Sequence, residues 1–267
     1  MTRLRRTRAA LRIGTGIGTG IGIGIAACVG SAFAGPLAFE AAQTVEKLSA
    51  GLADWRSTEV SALWRAPAAG SANGTLRRTE RFNLADGQAE AGAALLPASR
   101  WRAEAELAAS DTHRVLPAWQ WRGRIWREGV VGWNLALGAG RTLYSNPGLT
   151  QGNSQAQVQA ERYLGTWRIA WAGTATRLDG GGASSAHVGR LDWDASDALR
   201  IGALLAFGRE LENIPGRGVV SSSVRGAALK ANYAWTPSWA ISAEATAHRQ
   251  GDLYERNGLR IGVRYQH

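Results

Sequence analysis

Ser185 and His187 stand two residues apart, so on an extended strand both project from one face. A serine beside an imidazole can act as a hydrolytic nucleophile. It then needs an acid or amide to orient the ring. Glu161 and Asp192 are acids for that third role, although no spacing places either one beside His187. The plainer reading is a polar pair near the loop after Gly180, Gly181 and Gly182. Asp192, Asp194 and Asp197 cluster carboxylates but lack the Asn/Asp/Gly loop of known calcium motifs, and a solvated turn accounts for them. His113 and His248 are isolated. There is no phosphate loop, no HExxH and no nucleophile elbow, so neither a cofactor nor a metal is expected.

The arginines are more informative. Of the 31 basic residues only Lys47 and Lys230 are lysines, and the net charge is +10 against 21 acids. Arg3, Arg5, Arg6, Arg8 and Arg12 supply half of that excess from the extreme amino end. A nucleic-acid partner is therefore not expected. Cys28 is the only cysteine, which excludes a disulfide framework and a Cys-based zinc site. No run of eighteen apolar residues follows the leader, so no helical span is expected.

The leader has three parts: a basic end, a Gly/Ile-rich stretch from Ile13 to Val29, and Ala32-Phe33-Ala34. Together they read as a secretory signal over 1–34 with cleavage after Ala34. Ile25-Ala26-Ala27-Cys28 resembles a lipobox and leaves lipidation of Cys28 as the alternative. The glycines from Gly14 to Gly24 all fall at even positions, so the spacing of G-x-G-x-x-G never occurs.

The elements that carry these residues change character along the chain. Leu37, Ala41, Val45, Leu48 and Leu52 recur three or four apart, which predicts a periplasmic tail or short helix over 35–53. From Trp55 onward the period is two. Trp101, Ala103, Ala105 and Leu107 alternate with Arg102, Glu104 and Glu106. Trp239, Ile241, Ala243 and Ala245 alternate with Ser242, Glu244 and Thr246. Segments of this length with one apolar and one charged face are the mark of an antiparallel transmembrane β-barrel over 54–267. Soluble sandwich strands are shorter.

Short connections at 127–129, 165–166, 194–197 and 236–238 alternate with longer ones at 143–153, 178–183, 210–219 and 249–256. These are expected to be periplasmic turns and outer loops respectively. Trp126, Trp167, Trp193, Trp235 and Trp239 flank the short turns and predict an aromatic girdle. Arg102, Glu104, Glu106, Arg122, Arg124, Glu161, Arg168, Arg200, Glu244, Arg260 and Arg264 should share the lumen as a charge ladder that closes it, with the lining of a small polar pore as the alternative. Thirteen candidate strands can be traced, but both ends should be periplasmic and the number even. The error lies before residue 97; twelve strands are expected, with fourteen as the alternative.

The last strand resembles the carboxyl-terminal assembly signal of outer-membrane barrels through Arg260, Gly262 and Tyr265, with His267 where Phe is usual. Several stretches resemble YaiO-type outer-membrane barrels: Gly138-Ala139-Gly140-Arg141 before Tyr144, Glu161-Arg162-Tyr163-Leu164-Gly165-Thr166-Trp167, Gly208-Arg209-Glu210-Leu211-Glu212, and Asn257-Gly258-Leu259-Arg260. The resemblance runs from Trp55 to His267. It implies the outer membrane of a Gram-negative bacterium and a non-enzymatic link to surface polysaccharide or envelope biogenesis. Expected partners are outer-membrane lipid and lipopolysaccharide, the barrel assembly machinery and polysaccharide export components. The alternative function is a lipid hydrolase using Ser185 and His187.

Overall fold

The computed structural model describes residues 37–49, 51–66, 69–146, 149–214 and 218–267, together with a short pairing of Ile17–Gly18 with Gly22–Ile23. The cut after Ala34 and the lipobox at Cys28 lie outside the described residues.

Fourteen antiparallel strands form one closed barrel. They are β1 (Leu37–Leu48), β2 (Trp55–Ala66), β3 (Gly70–Arg81), β4 (Leu84–Ala98), β5 (Trp101–Ser110), β6 (Trp119–Val130) and β7 (Trp133–Asn146). The second half comprises β8 (Leu149–Leu164), β9 (Trp167–Leu178), β10 (Ala183–Asp194), β11 (Leu199–Ile214), β12 (Gly218–Ala234), β13 (Trp239–Gln250) and β14 (Tyr254–Gln266). Each strand pairs with the next. β14 returns to β1, from Arg256 opposite Leu48 to Gln266 opposite Ala38. The His267 amide donates to the Leu37 carbonyl at 3.0 Å and finishes the seam. Closure leaves no free edge, which a lipid environment demands.

The count is therefore fourteen, not twelve. The thirteen candidate strands all exist, and the one missing is β1, at the place read as a helix. The helical spacing of Leu37, Ala41, Val45 and Leu48 is real, but Leu37, Phe39, Ala41 and Val45 also share one strand face, and no helix occurs among the described residues. Pairing with both β2 and β14 satisfies the backbone of this segment. A lone helix there would bury little.

The molecule is inside-out. Even-numbered residues face inward on β1, β4–β7 and β9–β14, and odd-numbered ones on β2, β3 and β8. Leu76, Leu107, Leu137, Leu205 and Leu229 are each more than 60 % exposed on the outer wall, while charged residues such as Glu161 and Arg256 are buried within. The apolar exception inside is a patch of Leu204, Ala206, Val224 and Ala228, with Val188 against it.

The start of β1 and the end of β14 lie at one rim, which is the periplasmic rim by the rule for such barrels. The stretches expected to be long loops are largely strand: β7 reaches Asn146 and β8 begins at Leu149, while β11 reaches Ile214 and β12 begins at Gly218. The short turn expected at 127–129 lies inside β6, and the actual reversal is Val131-Gly132. Both have positive φ, as does the Phe82-Asn83 pair at the outer rim. Two-residue hairpins favour that geometry because its twist matches the strands. The longest outer connection is 111–118.

Candidate functional site

The lumen wall carries three ion-paired clusters. On β5 and β6, Arg102 Nε meets Glu104 at 2.9 Å, Arg124 meets Glu104 at 3.0 Å, and Arg122 meets Glu106 at 3.3 Å. On β8–β10, Arg168 bridges Glu161 at 2.9 Å and Asp192 at 3.0 Å, and Arg190 also reaches Asp192, at 2.8 Å. At the seam, Arg260 of β14 holds Glu40 of β1 at 2.8 Å and also holds Glu59 of β2, which Arg77 meets at 3.3 Å. Lys230 and Glu244 face each other directly across β12 and β13. Arg264 and Arg200 also point inward, Arg200 onto Asp194. The bases and acids of this lining are interleaved, so it is an ion-paired wall. Each pair gains only modest net stability, but removing one partner strands a charge at a cost of about 3–5 kcal/mol.

Sequence parity alone places Arg77, Arg190, Glu40, Glu59 and Arg256 on the same wall, yet the spacing did not single them out. The glycines are a second missed signal. A Cβ on Gly138 would come within 2.7 Å of Arg124 Cγ, and one on Gly140 within 2.9 Å of Arg122 Cγ. These two glycines of β7 let the arginine stems lie flat against the wall. Gly262 does the same at the seam, where a Cβ would meet Ser242 Oγ at 2.6 Å and Glu40 Oε1 at 2.9 Å. Assembly-signal residue Gly262 thus faces inward. Tyr265 packs outward, 5.0 Å from Trp239.

One stretch of wall differs from the rest. β8 projects Gln151, Asn153, Gln155, Gln157 and Gln159 into the lumen, all uncharged amides. Gln155 donates to Asn153 Oδ1 at 3.1 Å and Gln157 to Thr174 Oγ1 at 3.4 Å. Thr142 and Tyr144 of β7 and Thr176 of β9 stand beside them.

The outer mouth is narrowed on two sides. Trp55 is 1 % exposed, with Arg81 at 4.4 Å and Arg256 at 4.6 Å over its ring, and Phe82 and Tyr254 edge-on to it. The connection 111–118 folds inward and buries Val115 and Leu116. Its latch is Asp86, whose carboxylate accepts the amides of Arg114, Val115 and Leu116 at 2.7–3.0 Å and the Thr112 hydroxyl.

At the periplasmic rim Trp167 stacks on Trp193 at 5.5 Å and Trp235 on Trp239 at 6.2 Å. Trp64, Trp101 and Trp133 are exposed on the same outward wall. Trp126 is a correction to the expected girdle. It is only 4 % exposed, faces the lumen and carries Arg102 at 4.7 Å over its ring. Trp126 shares the parity of Arg122 and Arg124 on the same strand, so it falls on an inward position.

Ser185 and His187 face outward. The His187 ring stacks between Trp171 at 5.8 Å and Phe207 at 5.3 Å. Opposite the pair on β9 stand Ala175 and Gly173, which offer no orienting group. Glu161 and Asp192 point the other way, into the lumen. The structure therefore does not bring the hydrolase constellation together. Asp192 and Asp194 are engaged by arginines, not grouped as cation ligands.

No family model matches the chain, and no curated protein sequence matches it. Solved structures do. The CymD monoaromatic hydrocarbon channel superposes with a TM-score of 0.57 at 8% identity, over 86% of this chain and 87% of that one. Omp33, an outer membrane protein of Acinetobacter baumannii, gives 0.53 at 11% identity, over 88% and 100%. An anion-selective porin from Comamonas acidovorans gives 0.51 at 8% identity, over 86% and 98%. With closed topology and inside-out faces, these likenesses define the fold as that of an outer-membrane β-barrel.

Proposed function

We propose that the protein is a non-enzymatic outer-membrane barrel whose polar lumen passes neutral saccharide at the cell surface. The observation that carries this is the amide wall of β8. Gln155, Gln157 and Gln159 are half-buried, and side-chain amides pair well with sugar hydroxyls, because each presents both donors and an acceptor. The ion-paired remainder of the lining leaves no single-sign field that would select ions. The resemblance to YaiO-type barrels supplies the surface-polysaccharide side of the reading. Two of the similar folds are described as a channel and a porin.

The test is conductance of the purified barrel in a planar bilayer. Stepwise openings are expected, and maltohexaose should block them. Gln155→Ala combined with Gln157→Ala should weaken that block about tenfold, as loss of two hydrogen-bonding groups would. A correctly folded barrel that conducts nothing, or is blocked equally after both substitutions, would overturn the proposal.

A further inference from the structure

The two rims of the outer wall differ in chemistry. At the periplasmic rim the outward residues are mainly aromatic, and its arginines lie on those rings: Arg127 is 5.1 Å from the Trp101 ring and Arg162 is 5.7 Å from that of Trp133. At the outer rim seven outward positions are arginines, Arg56, Arg78, Arg141, Arg177, Arg209, Arg225 and Arg249, set among others such as Trp119, Glu80 and Lys47. Some have acids. Arg141 is held by Asp179 at 2.6 and 2.9 Å, and Arg56 lies opposite Glu80.

The stretch from β11 to β13 is different. Arg225 stands directly opposite Arg249, and Arg209 lies one strand over, beside Ser223 and diagonal to Arg225. All three are exposed. Like charges directly opposite on neighbouring strands destabilise a sheet. Among the described residues no acid is within ion-pair distance of Arg225. Arg249 reaches Asp252 and Glu255 only at 3.9 Å each. Below the three arginines the wall is apolar, with Phe207, Leu205 and Leu229 exposed.

We infer that Arg209, Arg225 and Arg249 form a binding site for a phosphorylated lipid headgroup of the outer leaflet, its acyl chains lying on the apolar wall beneath. A phosphate would bridge two guanidiniums with charge-assisted hydrogen bonds and remove their repulsion. The outward apolar face commits the occupant to a lipid rather than to a soluble anion. The inference rests on the seat of the barrel in the membrane and not on a conducting lumen, so its failure would leave the conductance test untouched.

The experiment uses the full barrel in zwitterionic detergent micelles. Bis-phosphorylated lipid A, the same lipid after dephosphorylation, and inorganic phosphate are each titrated and read by native mass spectrometry. Wild type should retain the phosphorylated lipid and neither of the others. Arg225→Gln with Arg249→Gln should lower affinity about thirtyfold, the effect of two basic groups at an anionic lipid surface. Arg56→Gln, at the acid-paired side, should leave it unchanged. Equal retention of dephosphorylated lipid, retention of inorganic phosphate alone, or full affinity in the double variant would each overturn the inference. If the double variant does not fold, the three-ligand comparison on wild type decides by itself.

Discussion

Asp86 shows how a single side chain can hold a mouth in shape. Its two oxygens accept the backbone amides of Arg114, Val115 and Leu116, which lie outside any strand in the middle of the 111–118 connection. Asp86→Ala should release that connection. The expected outcome is faster proteolytic cleavage within 111–118 with the barrel intact, and an unchanged cleavage rate would refute the latch. Asp111 adds a tether, accepting the Gly87 amide at 2.8 Å. That backbone hydrogen bond, with the Thr112 amide, holds its carboxyl below the ordinary value of 3.8. The folded value is depressed, so this tether is complete above 3.8 and is lost as the pH falls through the lower folded value. Amide exchange at Gly87 should therefore gain protection between strongly acidic and mildly acidic solution. A flat profile would show that the carboxylate does not hold the amide.

Elements are set by faces, and the depth of a residue on its face sets the cost of changing it. Leu229 lies midway along β12 between Tyr233 at the periplasmic rim and Arg225 at the outer one, and is 64 % exposed. Arginine at the membrane midplane of such a wall costs about 2–4 kcal/mol, falling towards zero at the interfaces. Leu229→Arg should show most of that penalty in urea titrations of the bilayer-folded protein. Ile241→Arg should show less, because Ile241 is only two residues from the rim residue Trp239. Equal penalties at the two sites would contradict this depth assignment. The outward polar pair on β1 and β2 obeys the same physics: Thr58 donates to Gln43 Oε1 at 2.6 Å, so each covers the other within the wall.

For the whole molecule, closure is the cooperative event. β1 is both the first strand and the last one needed, since it alone connects β2 to β14. A variant lacking residues 37–48 would leave two open edges in lipid. It should lose the shift between boiled and unboiled samples that marks a closed barrel in detergent gels. Retention of that shift would mean that thirteen strands can close, against the observed topology.

Much of this was legible in the sequence, because strand faces are a local property. Period two assigned Arg102, Glu104, Arg124, Arg168 and Arg260 to one side and Trp239 and Ile241 to the other without reference to any partner. The outward pairing of Ser185 with His187 and the inward course of Glu161 follow from the same parity. Trp126 was legible too: it has the parity of Arg122 and Arg124, and only its place beside a turn suggested the girdle. What parity does not encode is which strands meet. Leu37–Leu48 satisfies helical and extended spacing equally, and hydrogen bonding on both sides, to β2 and to β14 more than two hundred residues away, selects the second. The arginine belt is likewise invisible one strand at a time. Arg209, Arg225 and Arg249 are widely separated in the chain, and register across three strands makes them neighbours. Local alternation fixes the chemistry of each face, while long-range pairing fixes which charges confront each other.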